Sequence, residues 1–180
     1  MPQKAGTNDL ARYGGMAVIG VLAYQVFKRY QQAGQSGAKS SGIDTAAVAP
    51  PADNGFHPAQ APGGADALSG VFVKAMVAAT QADGVIDEDE QRNLAGRLDQ
   101  LGISSADRRG LAEQLTTPVD LREILNAATS PEVALQIYMA SVLAIAVDTP
   151  AEKNYLDGLA RALKIDPRLK VQVEQTLGRA

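Results

Sequence analysis

The chain has no cysteine, no tryptophan, a single histidine and 4% aromatic residues. Without cysteine there are no disulfides, no thiolate metal sites and no sulfur nucleophile. The lone histidine, His57, sits among Pro, Gly and Ala, remote from any patterned segment, a setting that places it in solvent. Ser/His and Cys/His catalysis and His-based zinc sites therefore lack their raw material. Clustered positive charge is missing as well. Residues 1–65 hold five Lys/Arg and three Asp out of totals of 17 and 20, which leaves 12 basic and 17 acidic residues, a formal charge of −5, in 66–180. An acidic domain without a basic stripe matches phosphate backbones poorly, which sets nucleic acid aside as a partner.

Long apolar runs are scarce, and the longest uncharged one near the N-terminus covers 15 residues, Tyr13 to Phe27. As a helix it spans roughly 22 Å, short of a hydrocarbon core of about 30 Å. Tyr13, Tyr24 and Tyr30 suit the interface, Arg12 and Lys28 can snorkel, and Gly14, Gly15 and Gly20 suit close helix approach. The reading is a retained single anchor that meets the membrane through residues 13–27 and can self-associate through its glycines. A cleaved signal peptide is the rival, but Gln25-Val-Phe-Lys-Arg29 stands where a small-residue cleavage site belongs. An interfacial or partner-binding helix is the other alternative. Lys28, Arg29 and Lys39 outweigh Lys4 and Arg12, which leans the C-terminal domain toward the cytoplasm.

Residues 31–66 mix Gly, Ala, Ser, Pro and Gln, with Pro50-Pro51, Pro58 and Pro62, and read as a disordered, flexible tether between the anchor (1–30) and a folded domain (67–180). The domain is expected to be leashed rather than docked.

From Leu68 onward the pattern predicts an all-α domain of seven helices: 68–82, 88–101, 104–116, 121–128, 132–147, 150–163 and 167–177. Ser130-Pro131-Glu132, Thr149-Pro150-Ala151-Glu152 and Asp166-Pro167 supply starts, and Gly102 a stop. Ile137 to Val147 carries no charge and marks the central helix. An internal repeat at an offset of 65 lays Met76-Val-Ala-Ala-Thr-Gln-Ala-Asp83 on Ser141-Val-Leu-Ala-Ile-Ala-Val-Asp148, and Asp87 on Glu152. Two such copies imply pseudo-twofold packing with neighbouring acidic turns.

The stretch Asp83-Gly-Val-Ile-Asp-Glu-Asp-Glu90 packs five carboxylates around one glycine. Carboxylates this close repel unless a cation, a helix N-terminus or solvent compensates them. Asp83, Gly84, Asp87 and Glu90 match the back half of an EF-hand loop, while the front half would fall on Ala79 and Gln81 inside a helix, which excludes an ordinary EF-hand. A Ca²⁺ or Mg²⁺ site would need Asp83, Asp87 and Glu90 with Asp148 and Glu152 of the second turn. Beside it stands a purely structural account. Asp87 with Glu90, and Thr149 with Glu152, are capping boxes that need no ion, but this leaves Asp83 and Asp148 without a role.

The run Lys74-Ala-Met-Val-Ala-Ala-Thr-Gln-Ala-Asp-Gly-Val-Ile-Asp-Glu-Asp-Glu90 resembles the signature of TerB-like domains, the helical fold of tellurite-resistance proteins. Glu132-Val-Ala-Leu-Gln-Ile-Tyr138 and Asp148-Thr-Pro-Ala-Glu-Lys-Asn-Tyr-Leu156 narrow the resemblance to the YebE-type branch. It implies a bacterial inner-membrane protein with a Gly-rich N-terminal segment, a linker and a compact TerB-like domain, with a divalent-cation site and a link to envelope or metal stress. Tellurite resistance does not transfer on fold alone. Two functions follow. One is a non-enzymatic module that engages a partner protein under Ca²⁺ or Mg²⁺ control, with no catalytic residue. The other is a metal-assisted hydrolase whose acidic turns hold the ion and activate water.

Overall fold

The computed structural model describes residues 15–34, 50–82, 84, 86, 88–100, 117–146 and 149–178, with the side chains of Met16, Glu90, Arg97 and Gln100 outside that description. Among the described residues there are seven α-helices and no strand: α1 Gly15–Ala33, α2 Gly64–Thr80, α3 Glu88–Gln100, α4 Leu121–Ala127, α5 Pro131–Ala144, α6 Pro150–Ala162 and α7 Pro167–Thr176. The helix expected over 104–116 lies outside them.

Local chemistry sets most helix starts. Asp120 accepts from the Arg122 N–H at 2.9 Å, Ser130 Oγ from the Val133 N–H at 3.3 Å and Asp166 from the Arg168 N–H at 2.8 Å. Proline follows Ser130, Thr149 and Asp166 at the first helical position, where a missing N–H costs nothing. Helix α2 begins four residues before the expected Leu68, because Gly63 and Gly64, both at φ +80°, make a left-handed entry open to glycine.

Helices α2 and α5 form the central pair, and α1, α3, α4 and α6 all pack against α5. Every side chain of α5 from Val133 to Val142 is buried, as its lack of charge foretold. Shifting α2 by 65 residues puts it on 129–145, within two residues of α5, so the sequence repeat falls on the central pair. Ser141 Oγ reaches the Ala75 carbonyl at 3.3 Å and its own Ile137 carbonyl at 3.2 Å, tying the two helices.

Two N-terminal stretches, 15–34 and 50–63, depart from expectation, while 1–14 and the 35–49 part of the expected tether lie outside the described residues. Helix α1 is docked, not leashed: it packs on α5 and α7, with Ile19, Ala23 and Val26 fully buried. No helix among the described residues is long and apolar enough to cross a membrane. Residues 50–63, read as tether, form consecutive turns. Asn54 N–H donates to the Pro51 carbonyl at 2.9 Å, His57 N–H to Asn54 at 2.8 Å and Gly64 N–H to Ala61 at 2.8 Å. These turns satisfy the backbone, and one large side chain supplies the apolar anchor. Phe56 is 1% exposed and lies between the rings of Tyr24 and Phe27, at centroid distances of 5.9 and 5.4 Å. His57, placed in solvent by its composition, is buried instead, and its Nδ1 accepts from the Ala59 N–H at 3.2 Å to start the short 3₁₀ turn Pro58–Gln60.

Candidate functional site

The acidic turns leave from the ends of the central pair. Ser141, three residues before the end of α5, touches Ala75, five before the end of α2, so the two helices meet in their C-terminal halves. Beyond Thr80 the chain is braced. Ala82 N–H donates to the Ala79 carbonyl at 3.2 Å and Gly84 N–H to the Gln81 carbonyl at 2.9 Å, with Gly84 at φ +91°. Gln81 also reaches across, its Nε2 donating to the Thr117 carbonyl at 3.2 Å and its Oε1 accepting from the Val119 N–H at 3.4 Å. That clasp holds the approach to the first acidic turn against the segment leading into α4.

Of the five carboxylates proposed as ligands, Asp83, Asp87 and Asp148 and the side chain of Glu90 lie outside the described residues. Glu152 is described, and it completes a capping box. Its Oε2 accepts from the Thr149 N–H at 3.0 Å and hydroxyl at 3.1 Å, while the Thr149 oxygen accepts from the Glu152 N–H at 3.2 Å. The helix-start account therefore holds for Glu152. No group of three or more His, Cys, Asp or Glu able to hold a metal occurs among the described residues.

A second polar constellation, missed in the sequence, joins α5, α6 and α7. Tyr138 is fully buried and donates to Glu174 Oε1 at 2.9 Å, and Lys170 Nζ bridges Glu174 at 2.7 Å and Asp157 at 2.9 Å. A core position for Tyr138 with its hydroxyl on one partner is legible from its apolar surroundings, but for the charged members the signal is only Lys170 four residues before Glu174, an ordinary surface spacing. Burial, then the negative charge of Glu174, pushes the Tyr138 phenol far above its usual range. For Lys170, desolvation works to lower the value, but hydrogen bonds and charge from Glu174 and Asp157 outweigh it and the ammonium is held more firmly. Tyr155 is pushed up to about 12 by burial, with the Ser141 hydroxyl beside it limiting the rise.

These shifts carry a testable sign. A phenol whose folded value exceeds its unfolded 10.0 contributes stability present in full below pH 10.0 and lost as pH rises toward about 12. Thermal melts are expected to fall steeply across that window, and Tyr155→Phe to flatten the fall. A variant with the wild-type slope would show that Tyr155 does not stay protonated in the folded chain.

A family model described as a protein of unknown function, DUF533, matches residues 3–177. An uncharacterized protein in the ampR 5′ region of Yersinia enterocolitica is 30% identical over 106 residues, covering 59% of this chain and 76% of that protein. No solved structure matches the chain. With the family model covering nearly its whole length, the chain belongs to the DUF533 family of proteins of unknown function.

Proposed function

We propose that the protein is a non-enzymatic, TerB-like interaction module that meets a membrane through α1 and takes Ca²⁺ or Mg²⁺ between its two acidic turns. The observation that carries the cation reading is the Ser141–Ala75 contact, which brings the C-terminal parts of α2 and α5 together. Helix C-termini carry partial negative charge, and Asp83 and Asp148 follow them in sequence. Two such ends with their carboxylates favour a hard cation with oxygen ligands over an uncompensated cluster.

A non-catalytic role is supported by the side chains the chain carries: it has no cysteine, and the Nδ1 of its single histidine, His57, accepts from the Ala59 N–H. The resemblance of Lys74 to Glu90 to the TerB-like signature supports the same assignment.

Titration calorimetry of the full chain with CaCl₂, MgCl₂ and MnCl₂ is the test. Heat that disappears in an Asp83→Asn, Asp148→Asn double variant supports the site. No heat, together with an unchanged melting temperature on adding metal, would sink it.

A further inference from the structure

Helix α1 spends on the domain the face it would need for lipid. Ile19, Ala23 and Val26 are fully buried, Leu22 and Phe27 are half-buried, and Val18 is 45% exposed on the other side. A helical side chain points one way, so these residues cannot face α5 and α7 and a bilayer together. Three observations mark the docked seat as one that α1 can leave. At Gly20 a Cβ would lie 2.6 Å from the Phe56 carbonyl oxygen, so backbone meets backbone there and any side chain would force the two apart. Beside it Gln136 Oε1 is buried without a hydrogen-bond partner, 3.5 Å from that Cβ position, a defect that water would relieve once α1 departs. At the other end the Tyr30 hydroxyl lies near the half-buried Asp166 and, after the Arg168 N–H, helps hold its carboxyl below the usual range. The departing helix carries exposed Lys28 next to Arg29, which suits anionic headgroups.

We infer that α1 exchanges between two seats, the α5–α7 face of its own domain and an anionic lipid surface, and that lipid binding uncovers the face α1 vacates. The exchange rests on the membrane reading above and adds that the two contacts exclude one another. In the docked state the domain conceals its lipid-seeking face. On the membrane it exposes the surface lined by Gln136, Phe56 and α7.

The test is hydrogen exchange on the full native chain, with and without vesicles of equal parts phosphatidylglycerol and phosphatidylcholine, beside vesicle co-sedimentation of two variants. Vesicles are expected to cost the His57, Gln60 and Gly64 amides roughly tenfold or more of their protection. Gly20→Val drives a branched side chain into the Phe56 carbonyl and is expected to bind vesicles roughly tenfold more tightly. Tyr30→Phe keeps the ring, removes only the hydroxyl beside Asp166, and is expected to raise binding severalfold with wild-type helix content. Vesicle binding with unchanged protection at residues 57–64 overturns the exchange while leaving the membrane reading in place. Variants that bind no tighter than the wild type also overturn it. Failure of all three proteins to bind sinks both.

Discussion

Phe56→Ala is expected to lower the unfolding free energy by about 3–5 kcal/mol in urea titrations, the usual range for deleting a buried phenylalanine ring. The ring is 1% exposed and fills the junction of α1 with the 50–63 segment, touching Tyr24 and Phe27 at tilted angles of 59° and 52°. Its loss removes the one large apolar anchor of that segment and opens a cavity against α1. The same substitution in a free tether would change nothing. A midpoint equal to the wild type would therefore reject the packing of residues 50–63.

Leu94→Ala is the second large effect, about 2–5 kcal/mol. Among the described side chains of α3 only Leu94 and Leu98 are buried, both completely, one helical turn apart, while Glu88, Asp89, Arg92 and the others face solvent. The Arg92–Asp89 pair, at 2.7 Å, is too exposed to hold the helix. Truncating Leu94 removes half of the anchor of the helix that carries the end of the first acidic turn. Amide exchange is expected to accelerate in 88–100 before it changes in α2 or α5. Equal acceleration throughout would show that α3 opens only with the whole domain.

Much of the helical layout was legible because helix starts are local chemistry. Ser130-Pro131, Thr149-Pro150 and Asp166-Pro167 each combine a side-chain acceptor with a residue preset for the first turn, and each starts a helix in the fold. The buried α5 was legible from the absence of charge in Ile137 to Val147, although the helix ends at Ala144, where Ile145 turns extended at ψ 158°. What composition could not convey was the docking of α1 and of residues 50–63. A Gly/Ala/Pro-rich segment averages to a tether, yet one Phe and a run of self-bonded turns suffice when a glycine on the partner helix admits the backbone. That is tertiary information, held in Gly20 and Phe56 jointly and in neither alone. The candidate site divides in the same way. The cap role of Glu152 followed from its spacing to Thr149, whereas the Tyr138–Glu174–Lys170–Asp157 tie depends on how three helices meet.

The Gln81 clasp has a consequence for chain length. By gripping the backbone 36 and 38 residues further on, it brings the two ends of the 82–116 stretch together, while α3 within that stretch packs on α2 and α5. The entropy of bringing two chain ends together grows only with the logarithm of the length between them, so added flexible residues cost little, about 0.6 kcal/mol per doubling. Insertions or deletions there leave the α2–α5 pair undisturbed so long as Leu94 and Leu98 still reach their seats. Length variation among relatives should therefore collect between Gln81 and Thr117, not in the tightly capped turns that open α5, α6 and α7.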